Sequence, residues 1–279
     1  MSFMKTIVLD IDGTLLTTQK TITEATKNCL IDLQQKGNKL ILASGRPTTG
    51  MLQLSDELKM AEYDGLIVSY NGSKVIDCHT NMELFNQAMS IEEGKAVLEH
   101  MKQFKVSPMI DKDDYMFVND VFGCVIDYKD APFNVIEYES RGGHYKLCEK
   151  DDLAEFLDYR INKILTAGEP NYLAENYKKM MESFKDTLNC VFTADFYFEF
   201  TAKGIDKAKA LDTVLRPLGI FPEDVIAFGD GHNDRTMLEY AGVGVAMENA
   251  VKELKDSSDI TTKSNDEDGI VHFFNELFG

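Results

Sequence analysis

The run Thr6-Ile7-Val8-Leu9 is almost wholly apolar and stops abruptly on Asp10-Ile11-Asp12-Gly13-Thr14. A short apolar run of this kind predicts a buried parallel strand, and it places two carboxylates and a glycine turn at the strand's carboxyl end. Two aspartates at i and i+2 in that position are not packing groups, because an unpaired charge is costly to bury. They hold a cation or attack a phosphoryl group. The competing reading is that Asp12-Gly13 is ordinary turn chemistry at the end of a strand.

Other strand ends supply what a phosphate-handling carboxylate pair needs. A helical segment from Thr23 to Lys36, closed by Gly37, precedes the apolar run Lys39 to Ala43, which ends in Ser44-Gly45-Arg46-Pro47. A small hydroxyl and a glycine before a helix that starts at proline make a phosphate-binding corner: the hydroxyl donates, and free backbone N–H groups face the anion. Far downstream, Gly204-Ile205-Asp206-Lys207 leads into a helical pattern through Ala210, Leu211, Val214 and Leu215. Lys207 falls in the first turn, where a lysine is ordinarily a solvated surface charge. A cation there opposes the helix dipole, so the placement gains if it faces an anion. On that reading Lys207→Ala weakens phosphate binding and leaves the fold intact.

The run Val225 to Phe228 passes into Gly229-Asp230-Gly231-His232-Asn233-Asp234, a buried strand followed by an acidic turn and a new helix. A hard cation such as Mg2+ takes oxygen ligands and keeps several waters, so Asp230 is the natural additional ligand. Asp234 binds the ion directly or orients its waters and Lys207 from behind. His232 has no second histidine at helical spacing in an otherwise all-oxygen set, and it reads as a loop residue.

Taken together, these residues make the chain resemble the haloacid dehalogenase superfamily, in its Cof-type branch with a class IIB cap. DIDGT at 10–14, ASGRP at 43–47, VSYNGS at 68–73, GIDKAKAL at 204–211 and GDGHNDRTML at 229–238 occur in that family's order and spacing. AMENA at 246–250 and EDG at 267–269 follow in turn. Ala208 stands where the family often has glycine, and Arg235 where an apolar residue is usual; neither change removes a functional group.

The resemblance implies a role for each candidate. Asp10 would be the nucleophile that forms an aspartyl-phosphate. Asp12 would be the acid that protonates the leaving alkoxide and then the base that activates water. Asp10, the Asp12 carbonyl and Asp230 would hold Mg2+, with Asp234 behind them. Ser44, the Gly45 N–H, Lys207 and the Asn233 amide would bind the phosphoryl oxygens. The expected activity is a phosphatase for small phosphomonoesters such as sugar phosphates. The alternatives are a phosphomutase on the same scaffold and a non-enzymatic phosphoryl-accepting domain.

Motif placement sets the domain expectation. The motifs cluster in residues 1–82 and 196–279, where strand runs alternate with helices, as in a doubly wound, Rossmann-like α/β core with a parallel sheet. Residues 83–195 lack them. This segment mixes alternating stretches (115–118, 133–138 and 192–200) with helical ones near 91–104, 151–159 and 171–184, which fits an inserted α+β domain with an antiparallel sheet. The resemblance makes it a cap over the active site. Within it, Asp111 to Tyr115 reads as a charged loop able to reach the mouth or as a solvated turn, and Arg141-Gly142-Gly143-His144 as a flexible loop.

Composition bounds the partners. The 279 residues, 44% of them hydrophobic, suffice for two domains, and the net charge of −18 argues against a nucleic-acid surface. No apolar stretch approaches the roughly 20 residues of a membrane span, and the N-terminus enters its first strand without a signal-peptide pattern. The five scattered cysteines read as reduced packing thiols. The expectation is a cytoplasmic monomer or weak homodimer whose partner is a small phosphorylated metabolite.

Overall fold

The structure, a computed structural model, describes residues 5–129 and 131–278. The chain divides into two compact units: Met1–Asn86 with Asp206–Gly279, and Gln87–Ile205. The first unit begins with β1 (Thr6–Leu9), α1 (Glu24–Gln35), β2 (Lys39–Ala43), α2 (Thr49–Glu57) and β3 (Leu66–Ser69). Along these strands successive residues feed different cores. Ile7, Leu9, Leu40, Leu42 and Ile67 join one apolar cluster, and Val8, Ile41, Ala43, Leu66 and Val68 join the other. A sheet covered on both faces needs this, which is why its strands read as unbroken apolar runs. Helix α1 starts where the Thr23 hydroxyl accepts the Thr26 N–H at 3.0 Å. Two further strands, β4 (Lys74–Asp77) and β5 (Glu83–Asn86), close this part of the chain.

The second unit runs α3 (Ile91–Met101), β6 (Ser107–Lys112), β7 (Tyr115–Val118), β8 (Val125–Tyr128), β9 (Ala131–Asn134), α4 (Val135–Gly142), β10 (Lys146–Glu149), α5 (Leu153–Phe156), β11 (Lys163–Ala167), α6 (Pro170–Met181), β12 (Leu188–Ala194) and β13 (Tyr197–Ala202). Its six-stranded sheet has the order β10-β7-β6-β11-β13-β12. Every pair is antiparallel except β10 with β7. Several expectations are corrected here. Residues 133–138 do not continue as a strand: the Asn134 side chain caps the Glu137 N–H at 2.9 Å and starts α4, which buries Val135, Ile136 and Ser140. Residues 192–200 split into β12 and β13. Arg141-Gly142 ends α4 rather than lying in a loop, whereas the charged segment 111–115 does hold a tight turn, at Asp113 (φ 54°) and Asp114 between β6 and β7. The helix expected near 151–159 is reduced to the four residues of α5.

The chain then returns to the first unit with α7 (Lys207–Leu215), β14 (Val225–Gly229), α8 (Arg235–Tyr240), β15 (Val243–Ala246), α9 (Lys252–Ser257), β16 (Ile260–Thr261) and α10 (Gly269–Phe278). The completed eight-stranded sheet has the order β16-β15-β14-β1-β2-β3-β4-β5. It is parallel from β16 to β3, and β4 and β5 add an antiparallel margin. Chain order reverses direction at β1, between β14 and β2, so the carboxyl ends of these three strands lie side by side at the switch point where open α/β sheets bind ligands. No helix among the described residues is long and apolar enough to cross a membrane.

Candidate active site

Asp10 leaves β1 with its N–H still bonded to the Phe228 carbonyl of β14 at 3.0 Å, so the carboxylate is fixed by the sheet and is buried. Lys207 opens α7, which Asp206 caps by accepting the Lys209 N–H at 3.0 Å. Its side chain turns inward and is only 1% exposed, which overturns the solvated-lysine reading. The ammonium donates to Asp10 Oδ1 at 2.7 Å, Asp234 Oδ1 at 2.6 Å and the Ala43 carbonyl at 2.8 Å, filling all three of its donor positions. The other oxygen of Asp234, Oδ2, accepts the Asp230 and Gly231 N–H groups at 3.0 and 2.9 Å. Asp234 thus shapes the loop after β14 and orients Lys207, and both its oxygens are already engaged.

Asp230 faces Asp10 across the switch point. The Thr14 hydroxyl donates to Asp230 Oδ1 at 3.0 Å. Gly13 (φ +86°) passes so close that a Cβ there would lie 2.2 Å from Asp230 Oδ2. Carboxylate oxygens of Asp10, Asp230 and Asp234 all lie within 4.8 Å of one another. Burial pushes Asp10 up to about 7, with Asp234 and Asp230 adding to the rise and Lys207 opposing it. Burial likewise lifts Asp230 to about 6, against the Thr14 hydrogen bond. For Lys207 burial works against the charge, but Asp10 and Asp234 outweigh it and hold the group protonated. Three carboxylates around one ammonium leave an excess of negative charge in an all-oxygen donor set, which fits a hard divalent cation.

The Asp12 side chain lies in cationic company. Its Oδ2 accepts Arg46 Nε at 2.7 Å, and its Oδ1 accepts Arg46 Nη2 and Lys20 Nζ, both at 2.8 Å. Although burial raises it, the bonds and charges of Arg46 and Lys20 hold Asp12 down at about 2. Ser44 is buried at the end of β2, and its Oγ accepts the Arg46 N–H at 3.2 Å. The Asn233 amide meets Asn71 Oδ1 at 3.0 Å, while His232 is exposed beside it.

Sequence reasoning assigned no role to several residues that frame this site. Arg46 and Asn71 lay inside the quoted ASGRP and VSYNGS motifs, and Thr14 inside DIDGT. Asn249, from AMENA, donates to the Gly13 carbonyl at 2.8 Å and accepts the Asn265 N–H at 3.0 Å. Asn265 in turn donates to the Leu16 carbonyl at 2.8 Å, so two asparagines brace the turn that carries Asp10 and Asp12.

Comparisons with known proteins show what the whole chain is similar to. A haloacid dehalogenase-like hydrolase from Bacteroides thetaiotaomicron superposes with a TM-score of 0.91 at 30% identity, over 99% of this chain and 100% of that one. The subclass IIB sugar phosphatase BT4131 superposes with a TM-score of 0.76 at 25% identity, over 98% of each chain. The 5-amino-6-(5-phospho-D-ribitylamino)uracil phosphatase YwtE of Bacillus subtilis (strain 168) is 26% identical over 290 aligned residues, 98% of each protein. The sequence profile of the haloacid dehalogenase-like hydrolases matches residues 7–274. The chain is therefore an enzyme that belongs to the haloacid dehalogenase-like hydrolase family.

Proposed function

We propose that this enzyme is a Mg2+-dependent phosphatase of small phosphomonoesters that works through an aspartyl-phosphate on Asp10. The observation that carries the reading is the Lys207 ammonium, 2.7 Å from Asp10 Oδ1 inside the oxygen cluster formed by buried Asp10 and Asp234 with half-buried Asp230. A buried carboxylate aimed by a lysine at a strand end, beside a serine and a glycine N–H, is a nucleophile with donors already in place.

Asp10 attacks phosphorus: an Asp10 oxygen–phosphorus bond forms, and the bond to the leaving oxygen breaks. Asp12, having taken up a proton from solvent once the substrate displaces its cationic partners, gives that proton to the leaving oxygen. In the second half-reaction Asp12 takes a proton from water, whose oxygen bonds to phosphorus as the Asp10 bond breaks. Asp12 must exchange its Arg46 and Lys20 partners for the substrate to do this. Ser44 Oγ, the Gly45 N–H and the Asn233 amide hold the phosphoryl oxygens, and Lys207 joins them by exchanging one of its three present partners for a phosphoryl oxygen. Asp10, the Asp12 carbonyl and Asp230 would hold Mg2+, which supplies the positive charge that lets an anionic nucleophile approach an anionic phosphate.

Residues that handle only the phosphoryl group do not choose the leaving group. Two of the similar proteins are named for phosphates on a sugar or a ribityl chain. That supports an aliphatic alkoxide as leaving group, for which an acid is needed. The test is phosphate release from a panel of phosphomonoesters with Mg2+ and with EDTA, on wild type and Asp10→Asn. Metal-dependent release that disappears in Asp10→Asn is expected. Undiminished turnover in Asp10→Asn would refute the covalent route, and no release from any monoester would move the reading to the phosphomutase.

A further inference from the structure

The hairpin tip that joins β3 to β4 holds three successive residues in the left-handed region: Tyr70 at φ 51°, Asn71 at φ 56° and Gly72 at φ 96°. Glycine adopts this conformation freely and asparagine tolerates it, but a tyrosine there is strained. Such strain persists only where the surroundings over-determine it, and it collects at functional sites. Here the surroundings are specific. The Tyr70 N–H bonds to the Arg46 carbonyl and the Asn71 N–H to the Ser44 carbonyl, both at 2.9 Å, so the tip is stapled to the corner after β2. On its other side Gly72 lies so near the start of α7 that a Cβ would be 2.3 Å from the Asp206 carbonyl.

What this tip delivers is the Asn71 carboxamide. It lies over Gly45, where an added Cβ would be 3.0 Å from Asn71 Nδ2 and 3.1 Å from Oδ1, and its Oδ1 accepts Asn233 Nδ2 at 3.0 Å. A glycine at position 71 would meet the backbone demand with less strain. The asparagine side chain is therefore present for its amide.

We infer that Asn71 is a positioning residue for the phosphoryl group: its Oδ1 holds one Asn233 N–H and so aims the other at a phosphoryl oxygen beside the Gly45 N–H. The inference rests on the phosphatase reading above and extends its donor set by a supporting residue. An amide has two N–H groups, so Asn233 serves both partners at once. Without Asn71 the Asn233 side chain is free to rotate, and a donor displaced by about 1 Å costs on the order of a hundredfold in rate.

The experiment compares wild type, Asn71→Gly, Asn233→Ala and the double variant by thermal melting, by kcat and KM for a monoester that wild type hydrolyses, and by inhibition with inorganic vanadate. Asn71→Gly relieves backbone strain, so its melting temperature is expected to be at or above wild type. Its kcat/KM should fall about ten- to a hundredfold, with vanadate inhibition weakened in step. The double variant should be no worse than Asn233→Ala alone, because Asn71 acts through Asn233. Wild-type kcat/KM in Asn71→Gly, or losses that multiply fully in the double variant, would overturn the positioning role. Absence of metal-dependent hydrolysis by wild type itself would overturn the phosphatase reading instead, so the two failures are distinguishable.

Discussion

Replacing Lys207 with methionine keeps much of the side-chain volume and removes the one ammonium that serves two buried carboxylates. Lys207 is 1% exposed, and its bonds to Asp10 and Asp234 are 2.7 and 2.6 Å long. Removing one partner of a buried ion pair leaves an uncompensated charge and costs about 3–5 kcal/mol. For a folded body of roughly 150–250 residues each kcal/mol moves Tm by about 2–4 °C, so the expected drop is about 6–20 °C. The sequence-based expectation that this lysine can be lost without harm to the fold does not survive its burial. The cost should also depend on pH. Asp10 already sits at about 7 against an ordinary 3.8, so its ionisation destabilises the fold as pH rises through that window. Without Lys207 it moves higher still. Below the raised value Asp10 is neutral and only Asp234 has lost its cation, so the Asp10 share of the deficit should disappear as pH falls toward about 7 while the Asp234 share remains. Melts followed by circular dichroism in EDTA, repeated with Mg2+ to offset the negative charge, measure each part. A methionine variant that melts within about 2 °C of wild type at the alkaline end would refute the reasoning, because it would mean that the two carboxylates do not need the ammonium.

Gly13→Ala should cost about 1–2 kcal/mol for its left-handed backbone and, by driving Asp230 out of place, weaken Mg2+ activation at least about tenfold, read from a metal titration of activity. Arg46→Ala should free Asp12 from the stronger of its two cations and misplace it. The loss in kcat should be about ten- to a hundredfold on an alkyl phosphate and much smaller on p-nitrophenyl phosphate, whose leaving group needs no acid; equal losses would point to a purely structural arginine. Asn249→Ala deletes two hydrogen bonds that brace the Asp10 turn. It should lower stability by about 1–3 kcal/mol in a denaturant titration and reduce kcat more than it changes KM.

The parts of the site legible in the sequence are those at strand ends. A strand buried on both faces must be apolar until its last residue, so Leu9-Asp10, Ala43-Ser44 and Gly229-Asp230 are visible as places where the run breaks. Lys207 was legible as a residue of interest only because a helix pattern begins there; its burial was not, since two carboxylates 197 and 27 positions away compensate it. Arg46 and Asn71 stand beside residues the sequence did mark. Their partners, Asp12 and Asn233, are 34 and 162 positions distant, and no local pattern encodes such pairings. The inserted unit was harder for a different reason. Phe133 to Tyr138 alternates well enough for a strand, and the decision for helix rests on a cap at Asn134 and on which side chains find a core. The antiparallel β4 and β5 were likewise unmarked, because Lys74–Asp77 and Glu83–Asn86 are short, mixed segments without an apolar run.

The charges of the first unit constrain the order of events at the site. Asp10, Asp230 and Asp234 surround a single buried ammonium, and two of the three carboxyls are pushed up to about 7 and about 6. A raised carboxyl is an unmet demand for positive charge, met by a proton or by a cation. A phosphate monoester is itself anionic, and in a chain of net charge −18 no long-range attraction helps it arrive. Protonating Asp10 would admit the anion but quench the nucleophile. A divalent cation would admit the anion and leave the carboxylate ionised, so, if Asp10 attacks as proposed, it is the cation that meets the demand. Arg46 and Lys20 neutralise the remaining carboxylate of the turn, Asp12, and under the proposed mechanism both have to yield before that group can carry a proton to the leaving oxygen.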